Sequence, residues 1–227
     1  MSCEGHGLSE EGLEGVLQFE GYGTKTALYW FLGMEEGGGS IEQLRERAKR
    51  FEPVEDLHAV ARIGFDITKY VASWRVMSML TMAIQGTPKW RDKATAQDYQ
   101  ITRLGRHGGD TFLTELMPLP CPNINAWPYE SIYPTKEDYI ACVRPGRIKW
   151  LRSEISAFKP RLVICYGKGN WRHHEEIFND VEFRPELDEK IRIGKREQTT
   201  VLLTPFLSPD LVTTALIEQM ADLLGPA

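Results

Sequence analysis

Four short apolar runs recur along the chain, at 28–32 (LYWFL), 111–116 (TFLTEL), 161–166 (RLVICY) and 200–203 (TVLL), each soon broken by glycine or proline and each followed by a helical pattern. Short runs of this kind suit strands covered on both faces, and strands joined through helices run parallel. The order strand then helix, taken four times, predicts an α/β fold: three αβα layers around a central, mostly parallel four-stranded sheet. No stretch reads as a linker or an internal repeat, so a single domain over 1–227 is expected. In such folds ligands lie beyond the carboxyl ends of the strands. That directs attention to segments 33–40, 116–134, 166–171 and 204–209.

The helices carry their own signals. Ser40-Ile41-Glu42-Gln43 is a capping box, opening a helix expected to run to about Phe51, ahead of Pro53. Residues 66–85 read as a longer helix, with Asp66 as its cap. Ile67, Tyr70, Val71, Trp74, Met77 and Leu80 keep a 3.6-residue period there, and Gly86 with Pro88 stops it. Residues 86–110 read mainly as loop, and 117–134, with five prolines, as an irregular site loop. Thr135 opens a helix expected to break at Arg144-Pro145, and a second then places Ile148, Leu151, Ile155 and Phe158 on one face. A short helix is expected around 172–178. Ser208-Pro209-Asp210 reads as the start of the closing helix, with Ser at N-cap and Pro at N1.

The net charge of −5 belongs to the first twenty residues, where Glu4, Glu10, Glu11, Glu14 and Glu20 stand without Lys or Arg. The remainder is neutral in sum but polarised. Between 140 and 172, Arg144, Arg147, Lys149, Arg152, Lys159, Arg161, Lys168 and Arg172 face a single acid, Glu154. On charge alone this is a solvated helix face; the alternative is a phosphate-facing side. No apolar run reaches the roughly 18 residues of a membrane helix. The first fifteen residues lack the basic and apolar halves of a signal peptide, so a cytoplasmic protein without a membrane partner is expected. Cys3, Cys121, Cys142 and Cys165 form no CxxC pair, and the adjacent His173 and His174 have no zincin partner, so no metal or other cofactor is expected.

The candidate chemistry sits where the strands end. Glu35 and Glu36 follow the first strand just before a helix N-terminus, which favours carboxylate over carboxylic acid. Such a carboxylate orients water or stabilises positive charge developing on a sugar ring. The glycines at 37–39 let a phosphate or sugar approach the backbone. An ordinary turn with surface glutamates is the alternative. Glu115, at the end of the second strand, either reads a polar edge of a ligand or is solvated. Lys168, Asn170 and Arg172 follow the third strand without Walker spacing; they either contact a phosphate backbone or face solvent. Trp127 and Tyr129 are rigid loop aromatics that either stack on bases or pin the loop.

Taken in order, these segments resemble the uracil-DNA glycosylase superfamily. The run 32–38 (LGMEEGG) is similar to its first motif, written GQDPYH, GEAPG or GMNPG, and 159–167 (KPRLVICYG) to its PKxVVxxG strand. The run 114–120 (TELMPLP) occupies the place of its TN-containing segment, and 203–209 (LTPFLSP) that of its HPSP loop. The resemblance covers about 28–225 and rests on the ordered set rather than on any one motif. It implies a uracil-DNA-glycosylase-like fold in which Glu35 takes the water-activating position and Glu36 replaces a proline. Gly33, Met34, Gly37, Phe206 and Ser208 complete a pocket around the base. Glu115 stands where an asparagine reads the base edge, and Phe206 (or Thr204, in the other register) where a histidine stands. As a carboxylate, Glu115 prefers donors such as an exocyclic amine, which points away from uracil.

The activity implied is that of a monofunctional DNA glycosylase. It would hydrolyse the N-glycosidic bond of a flipped-out non-canonical base and leave an abasic site. A modified or damaged pyrimidine is expected, including a hypermodified cytosine of phage DNA in an anti-phage role. The partner is DNA, single- or double-stranded, with Lys168, Asn170 and Arg172 on its backbone; no iron–sulfur cluster is expected, and the chain is expected to be a monomer. Uracil excision in base-excision repair, a nucleoside or glycoside hydrolase on the same fold, and an inactive nucleic-acid-binding module are the alternatives.

Overall fold

The four apolar runs form the four parallel central strands of a larger sheet. The computed structural model describes residues 10–49, 52–123 and 125–225; Cys3, Glu4 and the expected helix end at Phe51 lie outside them. In chain order the elements are α1 (Glu10–Leu17), β1 (Gly21–Gly23), β2 (Tyr29–Gly37), α2 (Ile41–Ala48), β3 (Val54–Glu55), a 3-10 segment (Leu57–Ile63), α3 (Ala72–Ile84) and α4 (Lys93–Thr102). There follow β4 (Thr111–Cys121), α5 (Lys136–Phe158), β5 (Leu162–Tyr166), a 3-10 turn (Lys168–Asn170), α6 (Trp171–Ile177), β6 (Arg184–Glu186), β7 (Ile191–Arg196), β8 (Thr199–Thr204) and α7 (Thr214–Leu224).

The sheet has eight strands, not four, in the order β3-β1-β4-β2-β5-β8-β7-β6. Strands β4, β2, β5 and β8 are parallel throughout. The additions lie at the margins, where β1 runs antiparallel to β4 and a β6–β7 hairpin continues antiparallel from β8. These edge strands are short or charged, as solvent-facing sheet edges are, and carry no continuous apolar run.

Alternation along the central strands divides the core in two. Tyr29, Phe31, Ile164 and Leu202 pack on one face with Leu80 of α3 and Ile217 of α7. Trp30, Leu32, Val163, Cys165 and Leu203 pack on the other with Leu151 and Ile155 of α5. Each such fully buried side chain contributes about 1.5–3 kcal/mol, which fixes strand register because a slip of one residue would exchange the two faces.

Several helix boundaries differ from the sequence pattern. The helix expected from Asp66 begins at Ala72: Asp66 accepts from the Thr68 N–H and hydroxyl, closing a local turn. Gln100 Nε2 donates to the carbonyls of Ile67 and Lys69, which holds the segment out of the helix. The stretch 86–110 contains α4, capped by Asp92 onto the Thr95 N–H. Helix α5 does not break at Pro145, which is exposed, as is Ala141, whose carbonyl loses its helical partner to that proline. The closing helix starts at Thr213-Thr214 rather than at Ser208, because Leu207 and Val212 are buried and turn the chain inward first.

The proline-rich segment also has more order than expected. β4 continues through Pro118 and Pro120 to Cys121. β1 pairs with β4 only at Phe112 and Leu113, so the proline-bearing part is an edge on that side, where strand prolines are tolerated. Tyr129 and Trp127 pin the following loop: the Tyr129 hydroxyl donates to the Pro120 carbonyl and Trp127 stacks on Tyr139.

Candidate functional site

Beyond the carboxyl ends of β2, β4 and β5 lies a cavity of about 530 Å³. The end of β2 and α2 form one wall, and the segment 65–74 with Met77 of α3 the other. Glu115, Tyr166 and Phe206 close the sheet side. The pairing of β2 with β4 shifts register between Glu35 and Gly37. This bulge sends two successive glutamates to different partners.

Glu36 is fully engaged. Arg47 Nη2 donates to both its oxygens, at 2.9 and 3.1 Å, and the Tyr22 hydroxyl donates at 2.9 Å. Arg47 also donates to the Tyr22 hydroxyl at 2.7 Å and lies over the Phe19 ring. Burial opposes the charge on Arg47, but the adjacent Glu36 outweighs it and raises its pKa. Burial, reinforced by Glu36, keeps the Tyr22 hydroxyl protonated. Helix α2 delivers Arg47 because the Ser40–Gln43 capping box forms with both of its hydrogen bonds and fixes where the helix begins.

Glu35 takes a different partner. Its Oε2 accepts from Lys136 Nζ at 2.7 Å, in a pair whose side chains are only 11% and 18% exposed. Lys136 is the first residue of α5, set by the Thr135 cap, and also lies 3.8 Å from Cys121 Sγ. Among the described residues Oε1 of Glu35 has no hydrogen-bond partner.

Glu115 is the departure from expectation. Its Oε1 accepts from the Tyr166 hydroxyl at 2.7 Å, while Oε2 is buried and lacks a partner among the described residues. Burial, with the charges of Glu36 and Glu35, pushes its pKa up to about 8 against the opposing Tyr166 hydrogen bond. It is therefore a neutral acid at pH 7, able to donate as well as accept, rather than the carboxylate read from the sequence. Arg147, buried behind β4, does not neutralise it: its donors go to the backbone carbonyls of Glu115 and Leu116. Opposite, a Cβ on Gly33 would stand 2.0 Å from Glu115 Oε2 and 2.3 Å from the Tyr166 hydroxyl, so this position has room for hydrogen alone.

Of the remaining sequence candidates, Gly37 and Phe206 line the cavity, Phe206 half-exposed and edge-on to Tyr166. Thr204 is buried, with its hydroxyl bonded to the Pro205 and Cys165 carbonyls. Met34 packs into the opposite core cluster. Ser208 lies outside the cavity, its carbonyl accepting from Leu211 and Val212 in a turn. Lys168 and Arg172 are exposed and Asn170 half-buried at the β5–α6 turn, none of them lining the cavity, with Lys168 two residues beyond Tyr166 and set over the Trp171 ring.

The basic segment 140–172 is largely tied into the fold. Arg144 contacts His173 and Glu176, Arg152 donates to the carbonyls of Ile177 and Glu176, and Lys159 pairs with Glu197. Sequence reasoning missed Arg47, Lys136, Tyr22 and Tyr166, the hydrogen-bond partners of the three glutamates. It also missed the aromatic wall Phe65, Tyr70 and Trp74.

The described residues hold no group of three or more His, Cys, Asp or Glu placed for a metal ion, and no helix long and apolar enough to cross a membrane. Fold and site together define an α/β protein with a mostly parallel mixed sheet and an acidic cavity at its carboxyl edge. Comparison with protein-family models and with curated proteins finds no match.

Proposed function

We propose that the chain is a monofunctional DNA glycosylase that excises a modified or damaged pyrimidine and leaves an abasic site. The observation that carries this reading is the pair of carboxyl groups in one cavity with opposed environments: Glu115 kept neutral, Glu35 beside the Lys136 ammonium. Carboxyls set apart in this way divide acid and base roles. The Glu115 proton, on the oxygen without a protein partner, is donated to a carbonyl or ring nitrogen of the departing base, while Tyr166 holds the other oxygen. As the glycosidic bond stretches, the sugar gains oxocarbenium character, which the Glu35 carboxylate stabilises. The same carboxylate orients water toward the anomeric carbon and takes up the proton that the water loses as its oxygen bonds there. Glu36, saturated by Arg47 and Tyr22, forms the wall. A neutral Glu115 offers one donor and one acceptor, as an amide does, so it suits a pyrimidine edge. The cavity volume, several times that of a pyrimidine ring, favours a base with a bulky substituent.

The reading includes a cytoplasmic monomer that needs no cofactor. A hydrolase of free nucleosides is the second reading, favoured by one observation: the only cation lining the cavity among the described residues is the buried Arg47. Salt-dependent DNA binding counts against it. The test is incubation with oligonucleotides carrying a panel of damaged and phage-type modified pyrimidines, followed by alkaline cleavage at abasic sites. Glu35→Gln should lose turnover by about 10²–10³-fold while keeping DNA affinity. No cleavage by the parent chain on any substrate of the panel overturns the proposal.

A further inference from the structure

A second concavity, of about 600 Å³, lies between α3, α7 and the start of α4, and shares Tyr70 with the first. The two differ in charge. The first is lined by Glu35, Glu36 and Glu115 with one buried cation, Arg47; the second is lined by Arg75, Arg91 and Lys93, with no acid among its described lining residues. Arg75 lies 4.4 Å over the Tyr70 ring, and its Nε is buried without a hydrogen-bond partner among the described residues. Arg91 lies over Trp90 and pairs with Glu218, and Lys93 is exposed. Six large apolar side chains are exposed among the described residues, and three of them (Phe65, Tyr70 and Phe206) border the first cavity.

The first cavity offers a phosphate no free cation, since Arg47 is held by Glu36 and Tyr22, so the backbone attached to a base bound there must find its counter-charge outside it. The cationic groove beginning at Tyr70 supplies it, and the rim of the first cavity that leads to this groove carries the exposed aromatics Phe65, Tyr70 and Phe206, which stack only on unpaired bases. Resting on the glycosylase reading, we infer that the substrate is a single polynucleotide strand, which crosses the aromatic rim at Tyr70 and lays its phosphates along the Arg75–Arg91–Lys93 groove. The basic segment 140–172 is not the strand's path.

Fluorescence anisotropy on the full chain tests this, with a labelled oligothymidylate and a duplex of equal length across a salt series. The single strand should bind at least about tenfold tighter than the duplex. Lys93→Glu, at an exposed helix start where an acid is well tolerated, should weaken it severalfold or more and flatten the log–log salt slope by about 0.7 for each phosphate no longer neutralised. Tyr70→Ala should weaken it about five- to a hundredfold, the range for one base stack. Lys149→Glu should leave it unchanged. Equal affinity for duplex, wild-type binding by both Lys93→Glu and Tyr70→Ala, or a loss in Lys149→Glu matching that in Lys93→Glu would each overturn the inference. The probe contains only ordinary bases, so the two proposals fail separately. Strand binding without excision of any base removes the glycosylase and leaves the groove. Excision from duplex DNA, unaltered by Lys93→Glu, removes the groove and leaves the glycosylase.

Discussion

Glu36 and Glu115 line the same cavity, yet the protein treats them in opposite ways. Glu36 meets a buried guanidinium and a phenol, and both its oxygens are bonded. Glu115 meets one phenol, keeps one oxygen without a partner among the described residues, and has the Arg147 guanidinium turned to the backbone. Complete satisfaction makes a carboxyl group part of the architecture. Incomplete satisfaction, maintained by a glycine that leaves it space, makes it a group waiting for a ligand.

The largest expected effect breaks the saturated side. Arg47→Ala leaves Glu36 without its buried counter-charge, a loss of about 3–5 kcal/mol, readable as a fall in the urea midpoint. A change below about 1 kcal/mol would remove the distinction between the two walls.

Glu115→Gln sharpens the other side. The pKa of Glu115 is raised in the fold, from 4.5 to about 8. The unfolded chain therefore ionises first, and the stability that Glu115 contributes below 4.5 is lost as pH rises to 8. The Gln variant keeps a partner for Tyr166 without that loss. It should be more stable than the parent by on the order of 3 kcal/mol at pH 8 and equal to it near pH 4. Urea unfolding at the two pH values checks this.

His174 is the acid-side counterpart. It is fully buried in α6, and burial brings its pKa down to about 4 from 6.5. The unfolded state takes up the proton first, so stability is lost as pH falls from 6.5 towards 4, by on the order of 3 kcal/mol or less. His174→Phe should flatten the acid limb of a stability–pH curve and leave the alkaline limb to Glu115. The smallest effect is expected for Gly33→Ala, whose methyl group must displace Glu115 Oε2 and the Tyr166 hydroxyl. It should cost about 1–3 kcal/mol while removing most activity, measured by thermal melting alongside base release.

The central sheet was legible because β2, β4, β5 and β8 are covered on both faces and so appear as unbroken apolar runs. The helix at Ser40 was legible because its cap is local. The edge strands were not: β7 reads Ile-Arg-Ile-Gly-Lys-Arg, and its alternation of buried Ile191 and Ile193 with charged residues is a signal only six residues long. Pro118 and Pro120 hid the extension of β4, because their tolerance depends on where β1 ends. The site shows the same division. Glu35 and Glu36 could be placed near the end of β2 from the sequence, whereas Glu115, expected at the end of the second strand, lies inside β4, which runs on through Pro118 and Pro120 to Cys121. Their roles could not be read there, since these depend on partners far away in the chain: Lys136, which is 101 residues from Glu35, and Tyr166, which is 51 from Glu115.

The division of labour between Glu35 and Glu115 is tested most directly by the pH dependence of single-turnover base release. The parent rate should fall as pH rises through about 8, where Glu115 loses the proton it donates. In Glu115→Gln, whose amide cannot titrate, that descending limb should be absent. The same limb in both proteins, or a parent rate that climbs through pH 8, would contradict it.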